Sequence, residues 1–134
     1  MKFKYKKYGD VLRPVIPIRI LYPDKEVSLG YEVLVDSGAD ICIFHAEIGE
    51  ALGINVKEGK PREVFGIGGK SSVYYLHKVK ILVGGWSYEI EAGFMPSIAG
   101  RFGQYGVVGQ KGFFENFIVK FDLLKSEVEL KSRN

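Results

Sequence analysis

The sequence predicts a mostly-β fold, either a barrel or a sandwich. Its apolar segments are short and rich in β-branched residues, turn glycines separate them, and only one or two stretches look helical. Glycine supplies 17 of the 134 residues, against a usual share of ~7%. A chain of this length buries roughly 70% of its unfolded surface, so the core needs neither a disulfide nor a metal.

The first half of the chain contains two strand-like segments and one helix-like segment. Val15–Tyr22 alternates loosely and contains prolines that suit an edge strand. Residues 31–35 predict a second strand, which ends at Asp36-Ser37-Gly38. Residues 46–52 predict a helix, because Gly53 follows as a stop signal.

Glycine-rich segments separate the strand-like runs in the second half of the chain. Strand-like runs at 63–65 and 72–76 flank the glycine-rich segment 66–69, and Gly84-Gly85 predicts a hairpin turn between strands 78–83 and 87–92. The remaining predictions are a loop at 95–105, a short strand Val107-Val108 closed by Gly109, a short helix at 112–116, and a last hairpin of 118–121 with 127–130.

Composition excludes several classes of protein. The apolar share of 46% and the charged share of 26% are typical of a globular chain and not of a disordered one. A net charge of +3 does not indicate a strong nucleic-acid binder. The lysine-rich segment 2–7 predicts an edge strand, with a phosphate- or base-binding arm as the alternative. No apolar run reaches the length of a signal or membrane segment, so we expect a cytoplasmic protein.

The segment with the clearest chemical content is Val33-Leu34-Val35-Asp36-Ser37-Gly38-Ala39-Asp40. Three apolar residues form the end of a buried strand, and the Asp36 carboxylate follows them at a tight turn. An ionised carboxylate is costly to bury unless its charge is shared or hydrogen-bonded. Asp36 is therefore either the cap of a simple turn or a functional carboxylate.

This string resembles the active-site loop of the retropepsin-like aspartic proteases, whose signature is Asp-Thr/Ser-Gly-Ala. The glycine-rich hairpin lies where that family has its flap, and Val107-Val108-Gly109 is similar to its apolar-apolar-Gly element. The resemblance covers about residues 12–130. It implies a single domain over residues 1–134, folded as a closed β-barrel with a glycine-rich flap and one or two short helices.

The resemblance also implies a role for each matching residue. Asp36 is catalytic, Ser37 orients the loop, Gly38 and Ala39 form it, and Asp40 supports it. The implied flap and substrate-binding residues are Phe65, Gly66, Ile67, Gly68 and Gly69, and the implied pocket support is Val107, Val108 and Gly109. No cofactor or metal is implied, because a carboxylate pair activates the water in this family.

One chain supplies half of such a pair, because only Asp36 among the five aspartates is followed by Ser-Gly. The resemblance thus implies a homodimer with twofold symmetry that acts on an extended peptide or protein. The sequence departs from the family after Gly109. Many members have a basic residue there, often followed by Asp or Asn, whereas this chain has Gln110 and Lys111. The dimer contacts are therefore left open.

Three other interpretations compete with this one. The fold could carry an inactive dimerisation or peptide-binding module, or the chain could be a β-barrel that binds a small molecule or an oligonucleotide. Cys42 could act as a nucleophile with His45, although its apolar neighbours favour a buried, inert thiol. We interpret His45 and His77 as packed or surface side chains. With one cysteine and two histidines, a structural zinc site is not expected.

Overall fold

The structure is a computed structural model that describes residues 1–22, 26–65, 69, 71–96 and 105–133. In chain order its strands are β1 (Lys2–Lys4), β2 (Lys6–Tyr8), β3 (Val11–Arg13), β4 (Val15–Tyr22), β5 (Val27–Val35), β6 (Ile43–His45), β7 (Lys60–Phe65), β8 (Ser71–Val83), β9 (Trp86–Met95), β10 (Gly106–Val108), β11 (Phe117–Asp122) and β12 (Glu127–Ser132). The helical segments are α1 (Ala46–Ala51), a 3-10 turn at Val56–Glu58 and an irregular turn at Gln110–Phe114.

Seven strands form the main sheet in the order β4-β5-β10-β6-β9-β8-β7. β4 also pairs with β8 through Arg19–Leu82, Ile20–Ile81 and Leu21–Lys80, so the sheet closes into a ring. The apolar core fills the ring, and no polar or charged side chain among the described residues is buried. The predicted mostly-β fold is confirmed, and the expected closed barrel corresponds to this ring.

Strand β4 shows how the sequence pattern produces the ring. Ile16, Ile18 and Ile20 are buried, while Pro17 and Arg19 between them are exposed. Pro17 lies opposite Glu32 of β5, and the pairing of β4 with β8 begins only at Arg19. The proline therefore occupies a stretch where one edge of the strand is unpaired, as a residue without an N–H must.

The chain termini meet in a separate three-stranded sheet with the order β1-β12-β11. β1 is an edge strand, as predicted for the lysine-rich start, and Lys4 forms an ion pair with Glu127 of β12 at 3.1 Å. The inner face of this sheet places Phe117, Val128 and Leu130 in the core. The short hairpin of β2 and β3 forms a two-stranded sheet of its own, and the Tyr8 hydroxyl of β2 donates to the Glu32 carboxylate of β5.

Both predicted internal hairpins are present. β8 and β9 pair from Tyr75–Phe94 to Val83–Trp86, around the Gly84-Gly85 turn. β7 and β8 pair up to Phe65–Ser71. The intervening Gly66, Ile67 and Gly68 lie outside the described residues, as do residues 97–104 of the predicted loop at 95–105.

The first helix prediction is confirmed and the second is wrong in position and regularity. α1 ends at Ala51, and Gly53 has a φ of 88°. The predicted helix at 112–116 is instead the turn at Gln110–Phe114, interrupted at Lys111 and at Gly112, whose φ is 95°. Lys111 has a ψ of 126°, and this non-helical angle together with the positive φ of Gly112 rules out a regular helix here.

Among the described residues, no helix combines the length and the apolarity that crossing a membrane requires. The cytoplasmic location stays a prediction.

Candidate active site

Asp36 lies where β5 ends, and the neighbouring backbone fixes this strand end from two sides. The N–H of Val35 donates to the carbonyl of Pro14 at 2.9 Å, and the N–H of Asp36 donates to the carbonyl of Val108 at 3.0 Å. β10 runs parallel to β5, with Val108 opposite Val35. The position of Asp36 therefore depends on segments far apart in the chain.

The turn after β5 holds one oxygen of the Asp36 carboxylate. The N–H of Gly38 donates to Asp36 Oδ1 at 2.9 Å, and the N–H of Ala39 donates to the Asp36 carbonyl at 3.2 Å. The other carboxylate oxygen has no hydrogen-bond partner among the described residues, and the side chain is half-buried. Asp36 thus caps the turn, as one of the two interpretations predicted. The other oxygen of its carboxylate is still available.

Gly109 lets two backbone segments come into close contact behind this loop. A Cβ at Gly109 would lie 2.5 Å from the carbonyl oxygen of Ala39 and 2.6 Å from that of Ile41. Real Cβ atoms do not approach backbone oxygens so closely, so only glycine fits here. The apolar-apolar-Gly element of the sequence is therefore the support against which the Asp36 loop packs.

Gln110 holds the loop from the same side. Its N–H donates to the Ala39 carbonyl at 2.8 Å, and its side-chain amide donates to the Ser37 carbonyl. The N–H of Lys111 donates to the Asp40 carbonyl at 2.9 Å. In the sequence, Gln110 is notable only as a departure from the family pattern. Its position directly after Gly109 was the one signal that it contacts the loop.

Ser37 and Asp40 are exposed in this chain. Neither the Ser37 hydroxyl nor the Asp40 carboxylate has a hydrogen-bond partner among the described residues. Asp40 contacts the rest of the site through its backbone carbonyl. The loop thus presents the Ser37 hydroxyl and one oxygen of Asp36 without a partner from the described part of the same chain.

An apolar row lies beside the loop on the outer face of the ring. Val107 is opposite Leu34 of β5 and Ile43 of β6, so these three side chains share one face of the sheet. All three are half-buried. We call Leu34, Val107 and Ile43 the apolar row. Leu34 and Ile43 were not predicted as site residues, because their place beside Val107 depends on strand register.

The three predicted pocket-support residues occupy different positions. Val107 belongs to the apolar row, Val108 is fully buried on the core side, and Gly109 is buried beneath the loop. Only Val107 therefore has a side chain on the face beside Asp36. Of the predicted flap residues, Phe65 ends β7 opposite Ser71, and Gly69 is exposed with a φ of 80°.

The structure does not support Cys42 as a nucleophile activated by His45. Cys42 is fully buried, and burial raises the pKa of its thiol to about 11. Its Sγ lies 3.6 Å from the carbonyl oxygen of Lys111, whereas His45 Nδ1 is hydrogen-bonded to the Tyr31 hydroxyl. His77 Nε2 lies 2.7 Å from the Val56 carbonyl oxygen. Within the described part of the chain, no group of three or more His, Cys, Asp or Glu residues could hold a metal ion.

Comparisons with known proteins agree with this geometry. Residues 24–111 match the family model described as aspartyl protease, a span that contains both Asp36 and Gly109. The fold is similar to a retropepsin-like aspartic protease from Rickettsia conorii (14% identity, 96% of this chain and 97% of that chain, TM-score 0.66). It is also similar to EIAV protease complexed with the inhibitor HBY-793 (18% identity, 78% of this chain and 88% of that chain, TM-score 0.53). Comparison with curated protein sequences gave no significant match.

Proposed function

The chain belongs to the aspartyl protease family and is an aspartic-type peptidase, and we propose that it acts as a homodimeric endopeptidase. In this proposal Asp36 of each subunit supplies one carboxyl group of a pair at the twofold axis. The chain has a single Asp-Ser-Gly sequence, so the pair requires two copies. We propose that residues 1–134 form one domain and that the substrate is an extended peptide or protein segment.

The observation that carries this proposal is the presentation of Asp36. The N–H groups of Val35 and Asp36 donate to backbone carbonyls of two other segments and fix the strand end, and the Gly38 N–H fixes one carboxylate oxygen. The second oxygen is left without a partner from the described part of its own chain. A catalytic carboxylate needs this combination of a rigid position and an available oxygen.

Two facing Asp36 carboxyl groups would share one proton, because two like charges at short range cannot both persist. The ionised carboxylate accepts a proton from water as the water oxygen attacks the peptide carbonyl carbon. The protonated partner donates its proton to the carbonyl oxygen. When the carbon–nitrogen bond breaks, the amine nitrogen takes up the proton received from water, and the second carboxyl group recovers its own.

The residues around Asp36 fit supporting roles in this reaction. The exposed Ser37 hydroxyl can hydrogen-bond to the loop of the partner subunit, and Gly38 and Ala39 shape the turn. Asp40 supports the loop through its carbonyl. Val107 of the apolar row would contact substrate side chains, with Val108 and Gly109 beneath it.

We also propose that the β7–β8 hairpin is the flap. Its strands pair up to Phe65–Ser71, and Gly69 has a left-handed φ that suits a tight tip. Residues Phe65 to Gly69 would close over the bound peptide and pair with its backbone as an added strand does.

The test is the replacement of Asp36 by Asn, which preserves the shape of the side chain but can neither accept the water proton nor donate in the same way. We expect the Asp36→Asn variant to lose cleavage of an unfolded protein substrate between about pH 4 and pH 7, and the wild type to favour acid pH, because the pair must keep one proton. The matched control is Asp10→Asn at an exposed turn residue, which should cleave like the wild type.

Sedimentation velocity at micromolar concentration supplies the second arm of the test. A wild type that is strictly monomeric, or an Asp36→Asn variant that cleaves at the wild-type rate, contradicts the proposal. A wild type that dimerises and cleaves no substrate would instead favour the inactive dimerisation or peptide-binding module.

A further inference from the structure

The outer face of the ring changes from apolar to charged close to the proposed site. On one side lies the apolar row. Further along β8 and β9, Lys78 stands opposite Glu91 on the same outer face. Tyr74 lies at the boundary between the apolar and the charged part. It is on β8, three residues after the strand begins at Ser71 and four residues before Lys78. An aromatic side chain with a polar end suits such a boundary.

Gly93 brings Tyr74 against the end of the apolar row. Gly93 of β9 lies opposite Ile43 of β6 and opposite Leu76 of β8. A Cβ on Gly93 would lie 2.5 Å from Tyr74 Cδ2 and 3.0 Å from Ile43 Cδ1. The tyrosine ring and the Ile43 side chain therefore cover the same glycine, and the ring takes the space that a side chain at residue 93 would need.

Three tyrosine hydroxyls in this chain are bonded to other side chains, and that of Tyr74 is not one of them. The Tyr8, Tyr31 and Tyr88 hydroxyls each bond to another side chain, namely Glu32, His45 and Ser132 respectively. The Tyr74 hydroxyl has no hydrogen-bond partner in the described part of the chain, and its side chain is half-buried. It thus keeps its capacity to donate and to accept one hydrogen bond from a ligand.

We propose that Tyr74 is a specificity-determining residue that contacts the substrate. Its ring forms the end wall of a side-chain pocket whose floor includes Ile43 and Val107, and its hydroxyl bonds to the end of the substrate side chain. The side chain that fits is one with an apolar stem and an uncharged hydrogen-bonding end, such as an amide. This inference rests on the proposed peptidase function.

The test compares cleavage of a peptide set in which each position near the scissile bond carries Gln, Met or Phe. Tyr74→Phe keeps the wall and removes the hydroxyl, so we expect the preference for Gln over Met at one position to fall roughly two- to tenfold. Tyr74→Ala removes the wall, so the preference at that position should shift toward Phe by roughly tenfold or more. Trp86→Ala, an exposed aromatic at the far end of the same β8–β9 hairpin, is the matched control and should change no preference.

Ratios between peptides are measured within one variant, so they do not depend on the fraction of folded enzyme. Unchanged ratios in both Tyr74 variants overturn the inference, while the proposed function stands if Asp36→Asn still abolishes cleavage. A shift in Trp86→Ala equal to that in Tyr74→Ala also overturns it. If the wild type cleaves no peptide, the proposed function and this inference fail together.

Discussion

The loop around Asp36 and the terminal sheet both join distant parts of the chain, but they do so by different means. At the loop, backbone meets backbone: carbonyls of Pro14 and Val108 accept from Val35 and Asp36, and Gly109 packs against the carbonyl of Ala39. In the terminal sheet, an ordinary backbone ladder joins the strands, and charged side chains add contacts across it. Lys2 and Lys120 flank Glu129, and Lys4 forms an ion pair with Glu127.

The two regions should therefore differ in how well they tolerate substitution. A close backbone contact has no room for an added atom, so it fixes a neighbour such as Asp36 in position. A row of solvated charges tolerates substitution, because exposed ion pairs contribute little to the free energy of unfolding. Substitutions at the loop should therefore cost more stability and activity than substitutions of the charged residues in the terminal sheet.

Gly109→Ala should be the most damaging small substitution at the loop. The added methyl group would overlap the carbonyl oxygens of Ala39 and Ile41, and neither backbone segment can move without shifting Asp36. We expect the free energy of unfolding to fall by about 3 kcal/mol and cleavage to be lost, as measured by urea unfolding and a peptide assay.

The control for that substitution is Gly85→Ala at the β8–β9 turn, where a Cβ would meet nothing within 4 Å. It should leave unfolding and cleavage close to wild type. Equal effects of the two substitutions would show that the backbone around Gly109 can shift to accommodate a methyl group. The proposed difference between the loop and the terminal sheet would then be wrong.

Gln110→Ala should have an intermediate effect, with a larger change in activity than in stability. It removes the amide that donates to the Ser37 carbonyl, a bond at the surface that contributes at most about 1 kcal/mol. Because the loop carries Asp36, we expect kcat to fall roughly tenfold. Gln110→Glu has the same shape but cannot donate, so it should be no better than Ala.

Lys111→Ala serves as the control for Gln110, because Lys111 contacts the loop only through its backbone N–H. It should retain wild-type kcat. If Lys111→Ala and Gln110→Ala reduce kcat equally, the side chain of Gln110 does not hold the loop, and the loss arises from the turn as a whole.

Lys4→Ala in the terminal sheet should have the smallest effect. The Lys4 side-chain hydrogen bond holds the pKa of Glu127 below its ordinary value of 4.5. A carboxyl group with a lowered folded-state pKa adds stability above the unfolded pKa and loses it as pH falls through the folded value. The variant should therefore unfold slightly more easily near neutral pH, match the wild type at strongly acid pH, and cleave normally.

Urea midpoints at the two pH values check this expectation. A loss of cleavage in Lys4→Ala, or a difference in the urea midpoint that grows as the pH falls, would show that the terminal sheet does more than join the chain ends.

The sequence was a good guide wherever structure depends on neighbours along the chain. The alternation of Val15–Tyr22, the Gly84-Gly85 turn and the helix ended by Gly53 all follow from local rules, and the structure confirms them. The prediction at 112–116 failed because Lys111 and Gly112 have non-helical backbone angles, in a turn whose Gln110 and Lys111 N–H groups bond to the Asp36 loop. That interaction spans about 70 residues, and no local pattern reports it.

The mostly-β class, the hairpins and the motif around Asp36 could therefore be predicted from the sequence, because strand periodicity, turn glycines and a rare residue string are local properties. The surroundings of Asp36 depend instead on the packing of the whole chain. Strand register placed Leu34 and Ile43 beside Val107 and stacked Tyr74 over Gly93. Register depends on which strands pair and at which residues, and that choice arises from packing the whole ring around one core.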